Sequence, residues 1–494
     1  MKNTFLKRVA LVLLVGVSFS SCENSDPITV DIETQDFVWK GLNAYYLYQD
    51  QVESLSDSRF SSDIQLVNYL TNFSSPEDIF NSLTIAGDNR SSLVSNFNLI
   101  NTATPFRNSF TTGLEFGVMK DPTRIDSIVG YVLDVLPSSY ASTQNIARGE
   151  FFYAVVDENN NIIRLAEDNY IDNLIEYQQS TLSLLMADFD GTTLTPNGKR
   201  VDLIKEQYQH AAIHLKKVID LAPTKVGYLM YQNDFSRNYI QDLNVTMLEF
   251  RNEPIDELIL DLRYNIGGGS FANTVAEISS MITGQFADEV LIKETWNTKA
   301  QEWFQSNQPD SIVTRFPTTL ENGTTINSLN LTDIYIVLNG NDYRGNAALE
   351  LLINSLDAYM NVHVIGNSTT GNNIGAITLY DSPDYDFFAM NVNHTYALQP
   401  AVLTFSNLND QTYQNGLSPV MQLCPTENPL ELGELGEVTD PILNRILNYI
   451  TTGTIAAPSA CNSLGLEILY NSIHDQIIED NGIFIKQDLP NLGR

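Results

Sequence analysis

The stretch Leu258-Ile259-Leu260-Asp261-Leu262-Arg263-Tyr264-Asn265-Ile266-Gly267-Gly268-Gly269 decides the fold. Its apolar start reads as a buried strand, which ends in Asp-Leu-Arg. The glycines that follow form a turn, and a helix opens near Ala272. Backbone amides in such a turn, ahead of a helix N-terminus, make a cradle for an anion or a developing oxyanion. Nucleotide binding fits poorly, because neither Gly-x-Gly-x-x-Gly nor Gly-Lys-Ser/Thr is present.

A second strand–loop–helix unit lies downstream. Ile334 to Leu338 is an apolar run with strand character. After a polar loop, a helical pattern starts near Asn346, with Ala348, Leu351, Leu352 and Leu356 as its apolar residues. This is a common place to hold a nucleophile or an oxyanion. The loop and the first helical turn nevertheless contain no Ser, Cys or Thr.

Together these landmarks resemble the carboxyl-terminal processing, or tail-specific, serine peptidases. That family carries Asp-Leu-Arg-x-Asn-x-Gly-Gly after a core strand, and the main departure is Ile266, where Pro is common. The downstream order is similar too. Asp333 to Leu338 matches the next core strand, and Glu350 to Leu356 the helix after the nucleophile. Val364-Ile365-Gly366 matches the strand after that, and Ser368 to Gly375 the loop that follows. Gly416-Leu417-Ser418-Pro419 resembles the Gly-Leu-x-Pro turn, and Leu432 to Ile450 the closing acidic loop and helix. The resemblance covers roughly residues 35–455. It implies an α/β and α+β multidomain fold: a helical N-terminal domain, a PDZ-like β-rich domain and a crotonase/ClpP-like α/β core.

The resemblance also implies where the chemistry should sit. The family's nucleophilic Ser falls on Ala347, three residues before the helix Glu350. Its Lys general base falls on Asn372, in Thr369-Thr370-Gly371-Asn372. The oxyanion amides fall on Gly267, Gly268 and Ala348. A methyl group has no lone pair with which to attack a carbonyl, and an amide side chain is not a base. The expectation is a degenerate site that binds unfolded or extended polypeptide without cutting it. The rival reading is an active serine peptidase with a relocated dyad drawn from Ser355, Ser368, Thr369, Thr370, Asp342 or Tyr343. A cell-surface glycan-binding or scaffold protein is a third reading, but nothing in it requires Asp261-Leu262-Arg263.

Upstream, Gly113-Leu114-Glu115-Phe116 leads into two strand-like runs, Gly113 to Val118 and Gly130 to Leu136. A short helix-like piece, the turn Arg148-Gly149-Glu150 and a strand from Phe151 to Val156 follow. This order resembles a PDZ domain. There Gly113, Leu114, Glu115 and Phe116 would offer amides to a peptide's terminal carboxylate, beside an exposed edge that adds the peptide as a strand. Trp39, Leu42, Tyr45, Tyr46 and Leu47 form a helical apolar face, and Ser75-Pro76-Glu77-Asp78 is a helix start. The expected layout is an export signal at 1–21, a tether at 22–34 and a helical N-terminal domain at 35–105. The PDZ-like domain follows at 106–190, the core at 191–455 and a C-terminal extension at 456–494.

Lys2, Lys7 and Arg8 precede an apolar run from Val9 to Phe19, then Ser20, Ser21 and Cys22. This is an export signal. A Cys after small residues resembles a bacterial lipoprotein cleavage site, although Phe19 stands where an aliphatic residue is usual. The expected location is the bacterial cell envelope, with lipid on Cys22. The remaining cysteines, Cys424 and Cys461, are a candidate disulfide in an oxidising compartment. The 494-residue chain has 60 acidic and 27 basic residues, a net charge of −33, which repels phosphate backbones and argues against nucleic acid as a partner. His210 and His214 are four apart but lack the Glu of a zinc-protease helix, and strand character would separate them. No metal or cofactor is expected.

Overall fold

The computed structural model describes residues 32–100, 108–211, 213–233, 235, 237–265, 267, 270–338, 347–455, 465–476, 483–485, 489–490 and 492. The expected export signal and Cys22 lie outside the described residues. Among the described residues, no helix is long and apolar enough to cross a membrane.

Local chemistry sets the helix starts. Ser75 caps helix Pro76–Leu83 by accepting the Asp78 amide at 3.1 Å, and Pro76 takes the first position, where its missing N–H costs nothing. Helix Pro441–Thr452 begins in the same way, with Asp440 accepting from Ile442 N at 2.9 Å, and ends on Gly453 at φ +67°. Helices Glu33–Tyr45, Asp63–Leu70 and Pro76–Leu83 make the N-terminal region. Leu42, Tyr45 and Tyr46 are fully buried and join the main core. Trp39 is only partly buried and donates its indole N–H to Ser54 O at 2.8 Å.

The central six-stranded sheet has the order Ile213–Leu221, Thr224–Tyr231, Glu257–Asp261, Asp333–Val337, Asn361–Gly366, Met421–Gln422. Its first pair is an antiparallel hairpin and the rest is parallel. Parallel neighbours need crossover connections; helices Arg237–Asn252, Ala272–Ile282 and Ala347–Asp357 lie in these connections. With both faces covered, the strands read as continuous apolar runs. Leu258, Ile259, Ile334 and Ile336 are fully buried. The register pairs Leu260 with Ile336 and Ile336 with Val364. The carboxyl ends at Asp261, Val337 and Gly366 therefore lie side by side, where open α/β sheets bind their ligands.

Two further sheets flank this one. The first has the order Ser270–Phe271, Ile483–Phe484, Ile374–Ala376, Ala401–Asn407, Val290–Trp296, Val313–Arg315. The second has the order Ile468–Asn471, Leu114–Lys120, Ile128–Val135, Phe151–Val156, Thr181–Phe189, Leu194–Ile204, with Ile162–Arg164 paired to Phe151–Val156. Val118, Val132, Phe152 and Leu184 fill its core. The edge of Leu114–Lys120, expected to be exposed, is covered by residues from the C-terminal extension. His210 bonds Ser109 Oγ at 2.9 Å and His214 lies 3.3 Å from Asp134, so the two histidines face separate partners.

Candidate functional site

The Asp-Leu-Arg turn is held by a buried ionic network. Asp261 and Arg263 are 0% and 2% exposed. Asp261 Oδ1 accepts from Arg263 N and Nε at 3.1 Å each, and its Oδ2 accepts from Arg263 Nη2 at 2.7 Å and from Tyr228 OH at 2.7 Å. Arg263 also donates to Asp440 Oδ2 at 2.7 Å and to Glu427 Oε1 at 3.2 Å. Glu427 Oε1 accepts from Arg148 Nη2 at 2.6 Å, and Arg148 Nη1 donates to Tyr264 OH at 2.5 Å. Burial pushes the Glu427 carboxyl up, but Arg148, Arg263 and the Tyr264 hydroxyl together hold it below the ordinary range. Asp440 faces Arg263, yet burial dominates there and raises it. The Arg148 turn is thereby tied to the core strand and to the cap of helix Pro441–Thr452.

Of the two glycines expected to offer an oxyanion amide, Gly267 uses its own within the turn. Gly267 N donates to Asn265 Oδ1 at 3.1 Å, so in this conformation it is not directed at a ligand. Gly267 takes φ +72°, which favours glycine. Gly268 lies outside the described residues.

Positions 347 and 372, expected to be those of nucleophile and base, are linked through Glu350 in the first turn of helix Ala347–Asp357. Ala347, Ala348 and Glu350 are fully buried in its first turn. Glu350 Oε1 accepts from Gly371 N at 2.6 Å, and Oε2 accepts from Asn372 N at 2.7 Å. One carboxylate thus fastens the Thr369–Asn372 loop to the helix that starts at Ala347. The other side of that loop is equally fixed. Thr369 N donates to Leu417 O at 3.0 Å, and Thr369 Oγ1 accepts from Leu417 N at 2.7 Å. Gly371, at φ +86°, lies so close that a Cβ would sit 2.4 Å from Gln414 O. Asn372 is 1% exposed. Tyr413 is buried nearby, and burial and then the Glu350 charge raise its hydroxyl well above the ordinary range.

Among the residues of the rival reading, Ser355 is fully buried on the helix and Ser368 is exposed. Thr369 is engaged with Leu417, and Thr370 Oγ1 is 3.5 Å from Glu350. Asp342 and Tyr343 lie outside the described residues. A Ser–His contact that sequence reasoning missed is Ser109 with His210, because strand Asn108–Thr111 and strand Glu206–Gln209, which His210 directly follows, are distant in sequence and pair only in the fold.

Of the Gly113–Phe116 stretch expected to be a loop, Leu114, Glu115 and Phe116 open strand Leu114–Lys120, because they pair with Val135, Asp134 and Val132. Gly113 N donates to Thr111 Oγ1 at 3.1 Å and Leu114 N to Thr112 Oγ1 at 3.3 Å. Phe116 N donates to Ser472 Oγ at 2.9 Å. Three amides that a terminal carboxylate would need are therefore taken by hydroxyls. Gly113 itself is required: its φ is +81°, and a Cβ would come within 2.1 Å of the Ser139 side chain.

Glu294 differs from the other buried acids. It lines a cavity of about 340 Å³ together with Arg237, Phe271, Ala272, Phe484 and Ile485. Burial pushes its carboxyl up to about 7, opposed only by a 3.1 Å hydrogen bond from the Trp296 indole. Cys424 is disulfide-bonded, while Cys461, its expected partner, lies outside the described residues.

Comparison with known proteins agrees with this geometry. Residues 225–401 match the model of Peptidase family S41, and residues 33–97 that of the Peptidase S41 N-terminal domain. A crystal structure described as an S41 protease from Bacteroides fragilis superposes with a TM-score of 0.61 at 20% identity, covering 85% of this chain and 97% of that one. The photosystem II D1 C-terminal processing protease aligns over 87% of this chain and 99% of its own length, at 13% identity and a TM-score of 0.43. No curated protein sequence matches the chain.

Proposed function

We propose that this chain, a member of peptidase family S41 through its residues 33–97 and 225–401, binds extended polypeptide and does not cleave it. The observation that carries the reading is the Glu350 clamp. It brings position 372 to the start of the helix at position 347, which supports the assignment of both as the vacated base and nucleophile. Ala347 supplies no attacking lone pair and Asn372 no base, so no acyl-enzyme forms. The engaged Gly267 amide weakens oxyanion stabilisation as well. What remains are the carboxyl ends of a parallel sheet, the place where open α/β sheets take their ligands. The leader before Cys22 supports an exported, lipid-anchored protein at the cell envelope, and Cys22→Ala should release it from membranes.

The test is to incubate the mature chain with a fluorescently labelled, permanently unfolded protein. Anisotropy should report saturable binding, and mass spectrometry should recover the ligand intact. Absence of saturable binding would overturn the binding role, and fragments above background would overturn the loss of chemistry.

The Ser109–His210 hydrogen bond favours one second reading, a relocated nucleophile. A fluorophosphonate probe separates the two. Labelling that maps to Ser109 supports a peptidase or esterase, whereas an unlabelled chain supports the binding role.

A further inference from the structure

The chain already carries a strand in each of two places where an extended partner would add one. Strand Ile468–Asn471 runs antiparallel along the outer edge of Leu114–Lys120, pairing Ile468 with Met119 and Asn471 with Gly117. Lys120 N donates to Glu467 O at 2.9 Å, and Ser472 N to Phe116 O at 2.9 Å. The Tyr470 ring packs on Phe116, with 5.6 Å between centroids. Further on, Ile483–Phe484 enters between Ser270–Phe271 and Ile374–Ala376, parallel to both. Those two strands begin directly after the glycine turn and the Asn372 loop, so the segment lies beside the vacated site. Ile483 is fully buried there, and Ile485 N donates to Ala376 O at 3.1 Å.

The chemistry at the first edge defines what it accepts. Glu115, 7% exposed, stands near the start of strand Leu114–Lys120, two residues after Gly113. Its Oε2 accepts from Ser472 Oγ at 2.5 Å and from Gln476 Nε2 at 2.9 Å. A buried carboxylate at that place repels a free C-terminus and rewards a hydroxyl and an amide N–H. The amides of Gly113 and Leu114 are already capped by threonine hydroxyls.

Resting on the polypeptide-binding reading above, we propose that residues 465–476, with 483–485, are an intramolecular ligand held in the partner's place. The partner is an internal extended segment, not a C-terminus, with a Ser or Thr at the Ser472 position and an amide side chain four residues later. Backbone pairing gives such a segment its affinity, and the Glu115 pair gives it register and selectivity. Being tethered, the strap competes at a high effective concentration, so a partner binds only as the strap leaves.

The test compares the mature chain with its Ser472→Ala/Gln476→Ala variant, which weakens the strap and leaves Glu115 in place. The probe is a fluorescent peptide of residues 465–476, amidated at its end. The variant should bind it at least about tenfold more tightly than the parent, the factor expected from losing hydrogen bonds to a charged group. A peptide carrying the same two changes should lose that gain. A peptide ending in a free carboxylate at Ser472 should bind no better than its amide. Amide exchange at Phe116 and Lys120 should accelerate about tenfold in the variant, with Ile128–Val135 unchanged.

Equal, weak binding by parent and variant, with unaltered exchange at Phe116 and Lys120, would mean that the strap is a permanent strand and would overturn the proposal. Preference for the free carboxylate would overturn the internal-segment assignment. These failures are distinct from failure of the polypeptide-binding role, which is read by the unfolded-protein assay and by the integrity of its ligand.

Discussion

Two buried polar corners of this protein have diverged in what they retain. Around Arg263, every charged group has a counterpart: Asp261, Asp440 and Glu427 surround two guanidinium groups. Around Ala347, the proposed degenerate site, the Glu350 contacts to the facing loop are in place, while the positions the resemblance gives to nucleophile and base hold Ala and Asn. Glu350 still holds the Asn372 loop by two amides, yet what it positions is a methyl group and a carboxamide. On the proposed reading, the polar groups preserving the shape of this site are separable from those that would carry its chemistry. A binding role needs only the former.

The comparison can be broken most forcefully at Arg263. Arg263→Met leaves Asp261 and Asp440 buried without their cation, and should destabilise the chain by about 3–5 kcal/mol in denaturant unfolding. A loss below 1 kcal/mol would mean that the network is not a structural unit.

Glu294 is a buried acid with no ion pair among the described residues to offset its burial, and it sharpens the contrast with Glu427. Its folded pKa of about 7 lies above the ordinary value of 4.5. The folded state therefore holds a proton that the unfolded state has released between those values. Stability from this group is complete below about pH 4.5 and is lost as the pH rises to about 7, by roughly 3 kcal/mol at most. In Glu294→Gln the unfolding midpoint should lose that portion of its pH slope, so the variant gains on the parent at pH 8 relative to pH 5.

Glu350→Gln replaces one acceptor oxygen with a donor facing a backbone amide. It should cost about 1–3 kcal/mol and accelerate amide exchange at Gly371 and Asn372. An unchanged exchange pattern would remove the clamp from the account. At the exposed end of the scale, Ser75→Ala should lower stability by only ~1 kcal/mol, the worth of one helix cap.

Much of this was legible in the sequence because it is local. The strand ending at Asp261, the helix near Ala272, the cap at Ser75 and the Glu350 landmark each follow from residues within a few positions of one another. The Glu350 landmark and the Thr369–Asn372 loop, which the fold joins, were also readable because they keep the order along the chain that the resemblance expects. What escaped depends on distant partners. Glu467 and Ser472 meet Lys120 and Phe116 across some 350 residues, and nothing in Ile468–Asn471 names its neighbour. The carboxylate cradle at Gly113 failed for a subtler reason: Thr111 and Thr112 lie next to the loop, but whether their hydroxyls turn onto its amides depends on the folded backbone. The Asn265 bond to Gly267 is equally a matter of rotamer and turn geometry.

The central claim, a scaffold kept and a chemistry lost, is tested most directly by cleavage of an unfolded protein substrate. The natural chain runs beside a double variant, Ala347→Ser with Asn372→Lys. The account predicts no fragments above background from the natural chain and measurable cleavage by the double variant. Cleavage by the natural chain, or a double variant that folds and is equally inert, would contradict it.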